Sequence, residues 1–241
     1  MSYLLYCIFR RPLPAHLQIP DGVGGQRVFT VGHQGLGVAL SQLGDADLPC
    51  DTRELLVYGT VVESFYRHLT VIPLRYGCRV GSQQEAMGLL RKNHDAYGGL
   101  LRELEGLAEM GIEVLLEDST TEAKTDRLEV PPEYFSPRTR APGAAYLDAK
   151  KLHYLGEQRA TMLRKKFVEK LCDSLCGSFV RHKVELPSSS RSPLMSLYFL
   201  VPRDSVEPFR RAARHQEANE CVKLLLSGPW PPYNFVDSLP P

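Results

Sequence analysis

The run Tyr3-Leu-Leu-Tyr-Cys-Ile-Phe9, halted by Arg10-Arg11-Pro12, is the feature that most constrains this chain. Aromatic and aliphatic residues without polar alternation, closed by a proline, describe a fully buried strand. The run is far too short to cross a bilayer and lacks the basic start and small-residue cleavage site of a secretion signal. The chain must therefore build a sheet around it. Pro14 to Gln26, with Gly22, Gly24 and Gly25, reads as a surface loop. Arg27–Val31, a Gly32-His33-Gln34-Gly35 turn and Leu36–Leu43 then read as a β-hairpin.

Two capping boxes start helices. Asp51-Thr-Arg-Glu54 opens one running to about His68, with Leu55, Tyr58, Val62 and Phe65 on its inner face. Thr70–Tyr76 returns to extended sequence. Ser82-Gln-Gln-Glu85 opens a second helix whose apolar row takes in Met87, Leu90, Tyr97, Leu101, Leu104 and Ala108, with His94 among them. Gly106 and Gly111 close it, and Ile112–Leu116 is a strand. This succession predicts an α+β domain over residues 1–118, an antiparallel sheet with helices on one face.

Residues 119–142, acidic and proline-bearing, read as a linker or irregular loop. A second α+β domain is expected over 143–227. Its long helix, Asp148 to about Val180, carries Leu152, Leu155, Leu163, Phe167, Leu171, Leu175 and Phe179 on one stripe. Val184–Leu186 and Leu194–Val201 read as strands around a Ser188–Ser190 turn. A short helix is capped by Ser205, with Pro208 in its first turn, and Cys221–Leu226 is a last strand. That α-β-β-α-β order would become ferredoxin-like if one more strand preceded it. Residues 228–241 form an extended tail.

Few sequence patterns point to chemistry. The 29 basic and 28 acidic residues leave a net charge of +1, which demands no polyanionic partner. Cysteines at 7, 50, 78, 172, 176 and 221 are scattered, which suits a reducing cytosol. Gly32, Gly35 and Gly37 match neither phosphate-loop pattern. Cys172 and Cys176, one helical turn apart with His182 beyond, lack the second ligand pair that tetrahedral zinc needs, and are expected to be buried and inert. Histidines 16, 33, 68, 94, 153, 182 and 215 are dispersed, and His94 reads as a satisfied core histidine. Glu103 and Glu105 diverge on their helix, and Glu105 and Glu109 read as a solvated face. No metal, no cofactor and no catalytic residue is expected. Acids outnumber bases ten to three over Arg102–Glu133, and bases outnumber acids nine to three over Lys150–Lys183. Both read as solvated faces. No strand carries the aromatics of an RNA-binding sheet, so nucleic acid is not an expected partner, nor is a membrane.

The segment Gly228-Pro-Trp-Pro-Pro-Tyr-Asn-Phe235 resembles the signature tail of the GvpL/GvpF family of gas vesicle proteins. Further stretches resemble it in the family's order: Tyr3-Leu-Leu-Tyr6, Thr70-Val-Ile-Pro-Leu-Arg-Tyr-Gly77, Gly106 to Val114, Pro142 to Leu147 and Phe199-Leu-Val-Pro202. The resemblance implies a modified ferredoxin-like N-terminal domain, an α+β C-terminal domain and a non-enzymatic role in gas vesicle formation. The implied partners are the small hydrophobic shell protein and other gas vesicle accessory proteins, at the vesicle and in the cytosol. A ferredoxin-like sensing or adaptor module unconnected with gas vesicles is the alternative reading, and an enzyme with an unrecognised pocket a third.

The tail also speaks for itself. Pro229, Pro231 and Pro232 remove backbone donors and fix φ, so the segment is expected to be extended and outside any helix or sheet interior. Trp230, Tyr233 and Phe235 are large rigid surfaces. Docking of all three back onto the N-terminal domain is expected, because the chain's only tryptophan would otherwise stand in solvent.

Overall fold

A computed structural model describes residues 2–43, 48, 51–116, 142–185, 194–219 and 222–236. The linker reading over 119–141, the Ser188–Ser190 turn, Cys50 and Cys221 fall outside them. The chain divides into two compact units. The first comprises Met1–Met110, Leu200–Asp204 and Gly228–Pro241; the second comprises Gly111–Phe199 and Ser205–Ser227.

In the first unit, β1 (Ser2–Arg10) is the inner strand of a sheet ordered β2-β3-β1-β4. The hairpin is β2 (Val28–His33) and β3 (Leu36–Leu43), and its turn is shorter than expected. Gln34 and Gly35 alone make it, at φ of 44° and 82°, the positive values that a two-residue hairpin turn requires. β3 pairs antiparallel with β1 from Ser2↔Leu43 to Arg10↔Leu36, with an irregularity between Leu5 and Cys7. The other edge of β1 is shared by β4 (Val71–Pro73) and β5 (Arg79–Val80).

Leu4 through Phe9 are all buried. Successive strand residues face opposite ways, so both faces of β1 are covered. Tyr6 and Phe9 stack on Tyr58 and Phe65 of α1 (Thr52–Tyr66), whereas Leu5 lines a cavity with Leu89 and Tyr97 from the next two helices. Helices on one face only is therefore not what forms.

The second capped segment is two helices, α2 (Gln83–Lys92) and α3 (His94–Glu103), not one. Asn93, at φ −113° and ψ 21°, breaks the row. Its amide hydrogen-bonds back to the Leu89 carbonyl (3.2 Å), a local competitor to helix continuation. Ala86, Leu90, Tyr97 and Leu101 remain inside, while Met87 is exposed. His94 is not a core residue: it starts α3 part-exposed, and its Nε2–H donates to the Gln34 carbonyl (3.0 Å). That bond, with Asp95 beside the ring, raises its pKa. After Gly106 (φ 71°) the chain is already strand, β6 (Leu107–Leu116), so Ala108 belongs to a sheet and not to the helix stripe.

The second unit runs from β6 through α4 (Pro142–Ser174), β7 (Arg181–Glu185), β8 (Leu194–Pro202), α5 (Val206–Asn219) and β9 (Val222–Trp230). The sheet order is β7-β8-β6-β9. Because β6 pairs into this sheet, the unit boundary falls at Met110, earlier than residue 118. Phe199 centres the core, 5.1 Å from Phe179 and 5.2 Å from Phe209 between ring centroids.

The apolar stripe of α4 is not buried throughout. Leu171 and Leu175 are inside, but Leu155 and Met162 are 61% and 67% exposed, with Tyr154 and Leu163 exposed too. Helix phase explains much of this: Leu155 and Met162 lie about 160° and 180° around the helix from Leu171, whereas Arg164, in phase with Leu171, is buried; length adds to it. Thirty-three helical residues span about 50 Å, while the nine of β8 span about 30 Å. A sheet of that size cannot cover the whole helix.

Candidate functional site

The strongest sequence signal was the Gly228–Phe235 segment, and its seat lies within the first unit. Its first three residues are not outside the sheet, as their prolines suggested. They finish β9, which is an edge strand, where a residue without an N–H is tolerated. Gly228 is required here. Its φ is 101°, and an added Cβ would lie 2.6 Å from the carbonyl oxygen of Glu109 and 3.1 Å from the Met110 sulfur.

Pro229 and Trp230 point outward, and Trp230 is 48% exposed, contrary to the expected burial of all three aromatics. The segment turns inward only after it. Pro231 and Pro232 are buried, Tyr233–Phe235 make one 3₁₀ turn, Tyr233 is half-buried and Phe235 is 2% exposed. The turn is held by Tyr233 N–H to Pro231 O (2.8 Å) and Phe235 N–H to Pro232 O (3.2 Å).

The anchor is a residue that sequence reasoning had put on a solvated face. Glu109 of β6 is only 4% exposed, and its carboxylate accepts from the Asn234 backbone N–H (2.8 Å) and side-chain amide (2.7 Å). Two charge-assisted bonds fix the tail's register at that point. The misreading followed from extending the preceding helix through Ala108. In strand, Glu109 lies beside the tail.

Burial raises the hydroxyl pKa values of Tyr58 and Tyr233, with Tyr233 adding to the first and Cys7 and Glu109 to the second. The Tyr58 hydroxyl sits 3.0 Å from the Leu5 carbonyl and 2.8 Å from that of Leu74, so it ties α1 to β1 and to the residue that follows β4. Burial also pushes the Cys7 thiol up, which keeps it protonated and unreactive. The seat is thus a packed junction of neutral tyrosines and one carboxylate bonded at both oxygens, suited to holding the chain in place.

The remaining candidates do not converge. Cys172 is half-buried, and Cys176 is exposed, because α4 ends at Ser174 and the chain turns away through Gly177 at φ 82°. His182 packs on Phe179 and Phe199 instead. Among the described residues no group of three or more His, Cys, Asp or Glu is placed to hold a metal. No described helix is long and apolar enough to cross a membrane.

A family profile described as "Gas vesicle synthesis protein GvpL/GvpF" matches residues 2–237. Gas vesicle protein F1 of Halobacterium salinarum is 21% identical over 92% of this chain and 86% of its own length. Gas vesicle protein F of a Streptomyces species (strain CB03234) is 24% identical over 98% and 100%. In backbone, the chain is similar to crystal structures of GvpF from Anabaena sp. PCC7120 and Microcystis aeruginosa. Both have a TM-score of 0.78 over 98% of this chain, covering 95% and 98% of theirs at 17% and 15% identity. At those identities the structural likeness establishes the fold.

Proposed function

Because this chain belongs to the GvpL/GvpF family of gas vesicle synthesis proteins, with a role tied to gas vesicles, we propose that it is a non-enzymatic accessory protein that binds the small hydrophobic shell protein and supports its assembly. It works at the gas vesicle and in the surrounding cytoplasm, where other accessory proteins are further partners. The observation that carries this reading is the extent of the family match, residues 2–237, which takes in both units and the tail. The exposed Leu155 and Met162 of α4 add to it. Spaced seven apart, they share one helix face and offer an apolar partner a place to lose water contact, at about 25 cal/mol per Å².

Within this reading the second unit serves as a ferredoxin-like module. Its β-α-β-β-α-β succession and β7-β8-β6-β9 order favour that assignment, more than the three consecutive strands that open the first unit do. The tail's role is internal: it stabilises the first unit, and partner contact falls elsewhere.

The test is co-expression with the shell protein. Co-elution in size-exclusion chromatography, or less light scattering from the shell protein at matched concentrations, is expected. Neither effect, from a sample with a cooperative melting transition, would sink the reading.

A further inference from the structure

At the end of β1, two clefts adjoin and share Arg10. One, of about 360 Å³, is lined by Arg10, Arg67, His68 and Arg203, with Glu105 the one acid among the described lining residues. The other, of about 460 Å³, is lined by Arg10, Arg11, Arg102 and His94, with Asp95 the one acid among them. Five arginines thus meet two carboxylates among the described lining residues, with Glu63 a third, paired to Arg67, in a protein that is nearly neutral overall.

The cationic groups are set in place, not loosely splayed. The Arg10 guanidinium donates to the Gly98 carbonyl (2.9 Å). Arg203 donates to the Tyr66 carbonyl (2.9 Å) and lies over that ring, 4.1 Å from its centroid. Arg67 is bridged to Glu63 (2.7 Å). Arg11 lies close along Gly32 and Gly37 of the hairpin, where a side chain would meet it. Concave walls lined by one sign of charge focus the field outward and attract an opposite charge.

We propose that this double cleft binds an acidic segment of a partner protein, with carboxylates on both sides of Arg10. Two openings separated by an arginine suit anionic groups spaced along an extended peptide better than a single small anion. Planar guanidinium forks match carboxylates bidentately. The clefts have neither the glycine-rich N–H cradle of a phosphate loop nor stacking aromatics for bases. This partner differs in chemistry from a hydrophobic shell protein, so the inference stands apart from the preceding proposal.

Fluorescence anisotropy of a fluorescein-labelled hexaglutamate peptide with the full chain tests it. Saturable binding is expected that weakens at least about tenfold between about 50 and 300 mM NaCl. Arg67→Glu and Arg102→Glu, one in each cleft and both exposed, should each weaken binding about tenfold or more with melting temperature retained. Since each reports on a separate cleft, one folded variant suffices to judge the idea. Absence of saturable binding, or equal affinity in a folded charge-reversal variant, overturns it. Inorganic phosphate or a single-stranded oligonucleotide displacing the peptide at equal or lower concentration would assign the face to phosphates and overturn it too.

Discussion

The Glu109–Phe235 junction and the exposed half of α4 are both rich in large side chains, yet they meet opposite fates. In the first, the returning chain closes the surface: Phe235 is buried, and Asn234 hydrogen-bonds both oxygens of the Glu109 carboxylate. In the second, Leu155 and Met162 lie on the helix face opposite Leu171 and remain in solvent. Burial here is decided by whether another segment arrives to cover a surface, not by the hydrophobicity of the surface itself. A region closed in this way should carry stability, and a region left open should carry association.

The largest effect that tests this contrast is Phe235→Ala. Truncating a fully buried phenylalanine costs about 3–5 kcal/mol, read as a lower urea midpoint of unfolding. Trp230→Ala, five residues earlier but half in solvent, should cost about 1 kcal/mol or less. Equal losses at the two positions would break the distinction between the inward and outward halves of the tail.

Next in size is Glu109→Leu. It removes the acceptor of two bonds and leaves the Asn234 donors without it, at about 2–3 kcal/mol. Adding Asn234→Ala should then cost much less than it does alone, because the side-chain bond it breaks is already gone. Strict additivity in that double-mutant cycle would remove Glu109 from its role as the tail's anchor.

Much of this was legible in the sequence because local rules sufficed. Asp51 and Ser82 do accept from the N–H groups of Glu54 and Glu85, as their capping boxes require, and Tyr3–Phe9 is the inner strand its composition demands. What escaped depends on which segment meets which. Asn93 sits within an unbroken apolar rhythm, so the kink between α2 and α3 was invisible to periodicity. Leu155 and Leu171 both joined the stripe read from sequence, but sixteen residues carry the helix about 160° round, so one turns outward while the other is buried. Glu109 looked solvated because its partner lies 125 residues away. The prolines pointed to an extended tail, whereas Tyr233–Phe235 make a 3₁₀ turn, and the inward turn at Pro231 and Pro232, which divides Trp230 from Phe235, follows from what surrounds them.

The smallest effect on stability should come from α4, and it is the most informative about function. Replacing exposed Leu155 and Met162 together by serine removes no buried contact of consequence, so the unfolding midpoint should move by the equivalent of about 0.5 kcal/mol per site or less. Serine is a somewhat poorer helix former than either residue, which sets the sign of that small change. The same pair supplies much of the open apolar face, so co-elution with the shell protein should fall severalfold. Its suppression of shell-protein scattering should weaken in parallel. A double variant that is as stable as the parent and still binds the shell protein fully would move the contact away from α4, leaving its open apolar face without a functional consequence. One that unfolds readily would mean that this face is covered after all, and the contrast between a closed and an open surface would fail.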